Sequence, residues 1–284
     1  MVAVNREQAR FYDAIHAAEA ASGIGGYAEN KRANLLTRAW AGLRYRQQAA
    51  VKAAGIEDAM KQTHRKWINA KAGGEFLEVG CFSGSPSTFE LARAAQAYRG
   101  IELSPLAVSR LNERFAEEGL QTKALAEAGD FLLMSETEKF DLIYAHGVLH
   151  HFESPEPLFE KLARLIQPDG RLIFVEPCAV NPVYRALRTA YRPFQSDAAW
   201  EWPFRPVTVA ALEHHFEIVE GFGWGRRSLP LSVLTGLPLI GQLVTPLYVH
   251  LAKAEVLAGW HDKVWMNSMV TACYKPRRIK RASS

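Results

Sequence analysis

From residue 76 onward the chain alternates short apolar runs with amphipathic stretches, and few folds accommodate that alternation. The runs at 76–79, 99–103, 122–125, 140–145 and 171–176 are too short for core helices. They predict five strands of a parallel sheet wrapped by helices. Ser85-Pro86, Ser104-Pro105 and Ser154-Pro155 each set a capping hydroxyl before a proline whose fixed φ suits a first helical turn. Three helices are therefore predicted to start where parallel strands need crossovers. The third would carry Leu158, Phe159, Leu162 and Leu165 on one face. It should stop at Gln167-Pro168-Asp169-Gly170, a turn leading into the fifth strand. Segments 216–222 and 266–274 read as two further strands, and the roughly forty residues between them exceed an ordinary hairpin loop. An insertion is expected at 224–262.

The flanks read differently. Residues 1–72 are rich in Ala, Arg, Glu and Gln without β-branched alternation, which predicts an N-terminal helical cap broken near 23–26 and near Gly55. Residues 73–284 form the second unit, with 224–262 as a lid or a membrane-facing cap. Stretch 229–252 lacks Asp, Glu, Lys and Arg but is interrupted by Pro230, Gly236, Pro238, Gly241 and Pro246. One straight membrane-crossing helix is thus disfavoured. Short helices over the site or in a membrane interface fit better.

Cys81, Cys178 and Cys273 are scattered without ligand spacing, so neither a metal centre nor a disulfide is expected. Part of the net charge of +4 sits in the tail Lys275, Arg277, Arg278, Lys280 and Arg281, read first as a solvated end and second as a contact for anionic lipid. No basic stripe interleaved with aromatics runs through the chain, so nucleic acid is not an expected partner. Arg6 and Arg10 precede no apolar h-region, and a cytoplasmic location with peripheral membrane contact is expected.

The segment Glu78-Val79-Gly80-Cys81-Phe82-Ser83-Gly84 follows a predicted strand and opens a helix. In that context glycines let the backbone approach a ligand, and the unpaired amides of the helix N-terminus face a pyrophosphate or a carboxylate. Glu102 ends the second strand, where an acid can accept hydrogen bonds from both hydroxyls of a ribose. Gly129-Asp130-Phe131 follows the third strand and offers a carboxylate and an aromatic ring to an adenine. Three features of one crevice agree on an adenosine-bearing ligand.

FLEVGCFSG, GIELSP, the Gly129-Asp130 pair, FDLIYAHGVLHHF and LARLIQPDGRLIFVEP together resemble class I S-adenosylmethionine-dependent methyltransferases over roughly 75–177. The resemblance implies a Rossmann-like seven-stranded α/β sheet whose last two strands form an antiparallel pair, with N-terminal helices and a helical insertion between those strands. It implies S-adenosyl-L-methionine as cofactor. Glu78, Gly80, Cys81, Phe82 and Gly84 would cradle its methionine end, Glu102 with neighbouring Leu103 its ribose, and Asp130 with Phe131 its adenine. His146 would lie beneath it, where the chain leaves the fourth strand. One departure is Phe82, which stands where the family pattern has glycine and requires a loop that tolerates a bulky side chain.

His146 and Glu176 are the candidate catalytic bases, and each reads equally well as a satisfied polar group at a strand end. His150 and His151 belong to the family's LHH pattern, where a structural or cofactor-orienting role is expected. Asn181-Pro182-Val183-Tyr184 is similar to the NPPY signature of amino-group methyltransferases, but it follows the fifth predicted strand and reads as a proline-started helix. Tyr184, Tyr191, Phe194, Trp200, Trp202 and Phe204, mixed with arginines, predict an apolar substrate wall or packing against the N-terminal helices. The expected reaction is methyl transfer to a small-molecule or lipid-like acceptor, with oxygen as the favoured atom. The competing readings are a non-catalytic binding module of the same fold and an NAD-dependent oxidoreductase sharing the glycine loop.

Overall fold

A computed structural model describes residues 6–14, 35–192 and 198–277. The expected break at 23–26, Phe194 and the tail residues Arg278, Lys280 and Arg281 lie outside the described residues. A helical segment at 6–14 (α1) comes first, followed by α2 (Leu35–Ala54) and α3 (Ile56–Asn69). Then strands and helices alternate: β1 (Glu75–Val79), α4 (Pro86–Ala94), β2 (Ala97–Glu102), α5 (Pro105–Glu117), β3 (Ala124–Ala128), β4 (Phe140–His146), α6 (Pro155–Leu165) and β5 (Ile166–Pro177). The chain closes with α7 (Pro182–Tyr191), α8 (Pro206–His215), β6 (Phe216–Trp224), α9 (Leu229–Thr235), α10 (Ile240–Leu257) and β7 (Met269–Pro276).

All seven strands form one sheet in the order β3-β2-β1-β4-β5-β7-β6. β1 pairs in parallel with both β2 and β4, while β7 runs antiparallel to β5 and β6. The strand order turns at β1 and β4, and a crevice opens beyond the carboxyl ends of strands at such a switch point. The sheet is covered on both faces, which is why its central strands read as unbroken apolar runs. Along β4, Ile143 and Ala145 join one core with Leu77, Phe174 and Tyr274. Leu142 and Tyr144 join the other with Phe76, Leu111 and Phe115.

Two of the three serine-proline starts cap as expected. Ser85 Oγ accepts from Thr88 N–H at 3.2 Å while Thr88 Oγ1 accepts from Ser85 N–H at 2.9 Å, closing a capping box. Ser104 Oγ accepts from Ala107 N–H at 3.1 Å. Ser154 makes no side-chain cap bond, and Pro155 alone starts α6. Asn181 Oδ1 caps α7, in keeping with a proline-started helix. The expected turn at 167–170 is absorbed into β5: pairing passes from Phe140↔Ile166 to Leu142↔Arg171, so these residues bulge from the ladder instead of preceding it.

Gly55, at φ 67, joins α2 to α3. The insertion folds as the α9–α10 hairpin and packs sideways. Tyr248 and Ala252 bury against Ala50, Ala54 and Ile56 of the N-terminal cap. It therefore buttresses the sheet edge beside α2, and none of its residues lines the main cavity, so the lid expected from the sequence does not lie over that cavity. The aromatic segment divides its roles: Trp200 packs on Phe11 of α1 at 5.0 Å, whereas Phe204 joins the core beside Phe174. No helix among the described residues is long and apolar enough to cross a membrane.

Phe174 is fully buried and stacks on Tyr274 at 5.7 Å and Trp265 at 6.5 Å. Phe174→Ala is expected to lose about 3–5 kcal/mol, seen in urea titration as a lower midpoint with an unchanged slope. A loss below about 1 kcal/mol would remove the ring from the role of core anchor.

Candidate functional site

The carboxyl ends of β1 to β4 enclose a cavity of about 320 Å³, within the range that holds small organic ligands. Glu78, Gly80, Cys81, Phe82, Gly84, Glu102, Leu103, Asp130, Phe131 and His146 all line it. Glu176 does not. No motif marks Gln8 and Tyr12, which α1 brings to the rim from far upstream.

The loop after β1 is shaped by two backbone constraints. Gly80 has φ 71, and a Cβ there would sit 2.5 Å from Val148 Cγ2, so glycine alone fits. Phe82 takes φ 50, a left-handed conformation that costs a residue bearing a Cβ roughly 1–2 kcal/mol. Its N–H donates to Glu102 Oε2 at 3.0 Å, and its ring meets Tyr12 edge-on with centroids 6.3 Å apart. The bulky side chain thus reaches the helical cap, and the cavity stays open beneath it.

Three acids face this loop. Glu102 Oε1 accepts from the N–H groups of Leu103 at 2.7 Å and Ser104 at 3.1 Å, in addition to the Phe82 bond on Oε2. Burial raises its pKa and these amides oppose the rise. A carboxylate offers about four acceptor positions, so the bound amides leave room for a hydroxyl donor. Glu78 accepts from Thr88 Oγ1 at 3.1 Å and from Tyr98 OH at 2.7 Å, and burial pushes it up to about 8. Asp130 accepts from Leu132 N–H at 3.0 Å and starts the short turn that places Phe131. An apolar floor of Ile101, Val148 and Phe152 completes a donor set suited to a sugar, a flat ring and a charged end.

Glu176 serves the loop after β4 from behind. It is fully buried and accepts from Val148 N–H at 3.0 Å, Leu149 N–H at 2.7 Å, His150 N–H at 3.3 Å and His150 Nδ1 at 2.6 Å. A group so enclosed has no path to a substrate, which corrects the expectation of Glu176 as a base. The two histidines of the LHH stretch are latches. His150 binds Glu176, and His151 Nδ1 donates to Trp200 O at 2.7 Å.

His146 stands at the end of a polar chain that runs through the sheet. Thr271 Oγ1 donates to Phe174 O at 2.9 Å, His64 Nε2 lies 2.7 Å from Thr271 Oγ1, His64 Nδ1 lies 3.0 Å from Tyr144 OH, and Tyr144 OH lies 3.4 Å from His146 Nδ1. Burial pushes His64 down to about 3 and keeps it neutral. The protein around His146 likewise lowers its pKa, with Glu176 and Glu57 pulling the other way.

Residues 77–172 match the family described as methyltransferase domain. The chain is 27% identical over 135 residues to a chloroplastic tocopherol O-methyltransferase of Arabidopsis thaliana, covering 47% of this chain and 36% of that protein. It is 26% identical over 131 residues to a ubiquinone biosynthesis O-methyltransferase of Salmonella paratyphi A, covering 42% and 53% respectively. The chain therefore spans about half or less of these relatives' length. In fold it is similar to a putative sarcosine dimethylglycine methyltransferase from Galdieria sulphuraria, with a TM-score of 0.52 at 12% identity over 77% of this chain and 84% of that one.

Glu78, at about 8, and Glu176, raised by burial to about 7, stand above the ordinary value of 4.5. On these two acids the folded state holds protons that the unfolded chain releases, so their contribution to stability falls as pH rises from about 4.5 to about 8. Above about pH 6 this outweighs the opposite contribution of His64, which ends near its unfolded value of 6.5. Thermal unfolding is expected to give a lower Tm at about pH 8.5 than at about pH 6, and Glu78→Gln should flatten that fall. A wild-type Tm that climbs across the same interval would contradict the assignment.

Proposed function

This chain carries a class I S-adenosylmethionine-dependent methyltransferase domain, and from that premise we propose that it transfers a methyl group from S-adenosyl-L-methionine to an oxygen of a small-molecule or lipid-like acceptor, with His146 receiving the acceptor's proton. The direction of the hydrogen bonds behind His146 carries this reading. A backbone carbonyl only accepts, so the Thr271 hydroxyl must donate to Phe174 O. Its oxygen then accepts from His64 Nε2–H, which leaves His64 Nδ1 to accept from Tyr144 OH. Tyr144 in turn offers a lone pair to His146 Nδ1–H. The chain thereby fixes the tautomer of His146 and leaves Nε2 as its basic nitrogen. Loss of hydration lowers the pKa of His146, a direction that favours its neutral form.

When bound, the cofactor supplies an electrophilic methyl on a sulfonium. Glu102 would hold a ribose hydroxyl, Asp130 and Phe131 the adenine, and Glu78 with the glycine loop at 80–84 the methionine end. Phe82 and Tyr12 line the cavity on the side of the cap. The two relatives named as O-methyltransferases support oxygen as the accepting atom.

Calorimetry with S-adenosylhomocysteine tests the cradle. Glu102→Ala is expected to weaken binding by about 10- to 100-fold, as loss of a charged hydrogen-bonding partner of about 1.5–3 kcal/mol implies. Unchanged affinity would remove the ribose assignment, and no binding by the wild type would favour the non-catalytic module. His146→Ala should slow turnover of a phenolic probe by about 10²- to 10⁴-fold, a larger change than its effect on S-adenosylhomocysteine affinity. Full turnover in that variant would end the role of His146 as base.

A further inference from the structure

The helices beside the sheet carry an apolar surface that the fold itself does not use. In α10 the inward face, with Tyr248 and Ala252, is covered by the N-terminal cap. The outward face is not: Leu243 is 82% exposed, Leu247 51% and Ile240 47%. The turn between α9 and α10 adds Leu239 at 82%, and α9 adds Val233 and Leu234. Large apolar side chains gathered at one hairpin tip mark an interaction site, whereas single exposed ones do not.

The tip is also strained. Leu239 has φ 64 and ψ −57, at the centre of a three-residue turn closed by Ile240 N–H donating to Pro238 O at 2.7 Å. Turns of this sign are rare and unfavourable for a side chain larger than glycine's. The backbone accepts that cost to hold a leucine outward. At the other end, Glu255 ties down the base of the hairpin, accepting from Gly225 N–H at 2.7 Å, Ser228 N–H at 3.3 Å and Ser228 Oγ at 2.7 Å.

Charge tells what covers this face. Stretch 229–252 has no charged residue, and Glu255, buried at 9% exposure, is the only acid in α9 and α10. Arg226 and Arg227 precede the hairpin and Lys253 follows its apolar part. The adjoining α2 has Arg38, Arg44, Arg46 and Lys52 in its sequence, and no Asp or Glu. It also bears Tyr45, 77% exposed, beside the Gln47 that bonds Ser232 of α9 at 2.6 Å. An apolar, acid-poor hairpin with cations at its base, beside a helix that exposes Tyr45 and Arg46, matches an anionic membrane interface. A second copy of the chain would set like charges against one another, and a nucleic acid has no use for the leucines.

We propose that the α9–α10 hairpin is a docking element that lays its exposed leucines along the headgroup region of an anionic bilayer, with Arg227 and Lys253 at the hairpin base and Arg46 of α2 at the lipid phosphates. This stands apart from the methyl-transfer reading, since it uses no residue of the cavity. The test is co-sedimentation of the full chain with vesicles of phosphatidylcholine alone or mixed with phosphatidylglycerol. Binding is expected to the mixed vesicles, to weaken with added salt, and to fall about tenfold or more in Leu239→Asp/Leu243→Asp, whose substituted side chains bury little in the fold. That variant should keep the wild-type Tm and its calorimetric affinity for S-adenosylhomocysteine, so failure here is separable from failure of the cavity assignment. Equal pelleting of variant and wild type, no pelleting with either vesicle, or a dimer in light scattering that the variant abolishes would overturn the proposal.

Discussion

A carboxylate removed from water needs hydrogen-bond donors on its oxygens, and in this protein backbone N–H groups meet much of that need. Glu102 binds the amides of Phe82, Leu103 and Ser104 and so fastens the loop after β1 to the loop after β2. Glu176 does the same for residues 148–150. Glu255 does it for 225 to 228, where the chain leaves the edge strand β6. Loops that would otherwise fray are thereby held at fixed positions above the strand ends. Removing one such acid leaves several amides unpaired at once, which is why these contacts weigh more than any single surface ion pair.

The cap and the sheet are joined by chemistry as well as by packing. His64 comes from α3, Tyr144 from β4 and Thr271 from β7, and no two of them are neighbours in sequence. Each can be aligned only after the sheet has closed and α3 has docked. The edge contact of Phe82 with Tyr12 links α1 to the glycine loop in the same manner. The added helices thus fix details of the cavity that the strands alone leave undetermined.

The sheet and the lining of the cavity were legible because each rests on local rules. Strands buried on both faces must be apolar throughout, as in Ile143 to Ala145, and a loop crowding its own neighbour must be glycine, as at Gly80. The turn at 167–170 was misplaced because a bulge and a turn use the same residues, and only the partner strand distinguishes them. Glu176 was misread because an acid at a strand end has the same sequence signature whether it faces a ligand or the amides behind it. Gln8, Tyr12 and His64 left no mark at all, since their roles depend on where helices dock.

The polar thread from Thr271 to His146 also bears on what counts as a unit in this protein. A cut at residue 72 looks natural by composition, because helices end and strands begin there. Yet the excised piece would carry away the one imidazole that gives the Tyr144 hydroxyl its orientation. The remaining phenol could then turn its hydrogen toward His146, and the outward nitrogen would exchange roles with the inward one. Architecture and hydrogen bonding therefore divide the chain at different places, and a graft that respects only the first would inherit the cavity with the orientation of its Tyr144 hydroxyl undefined.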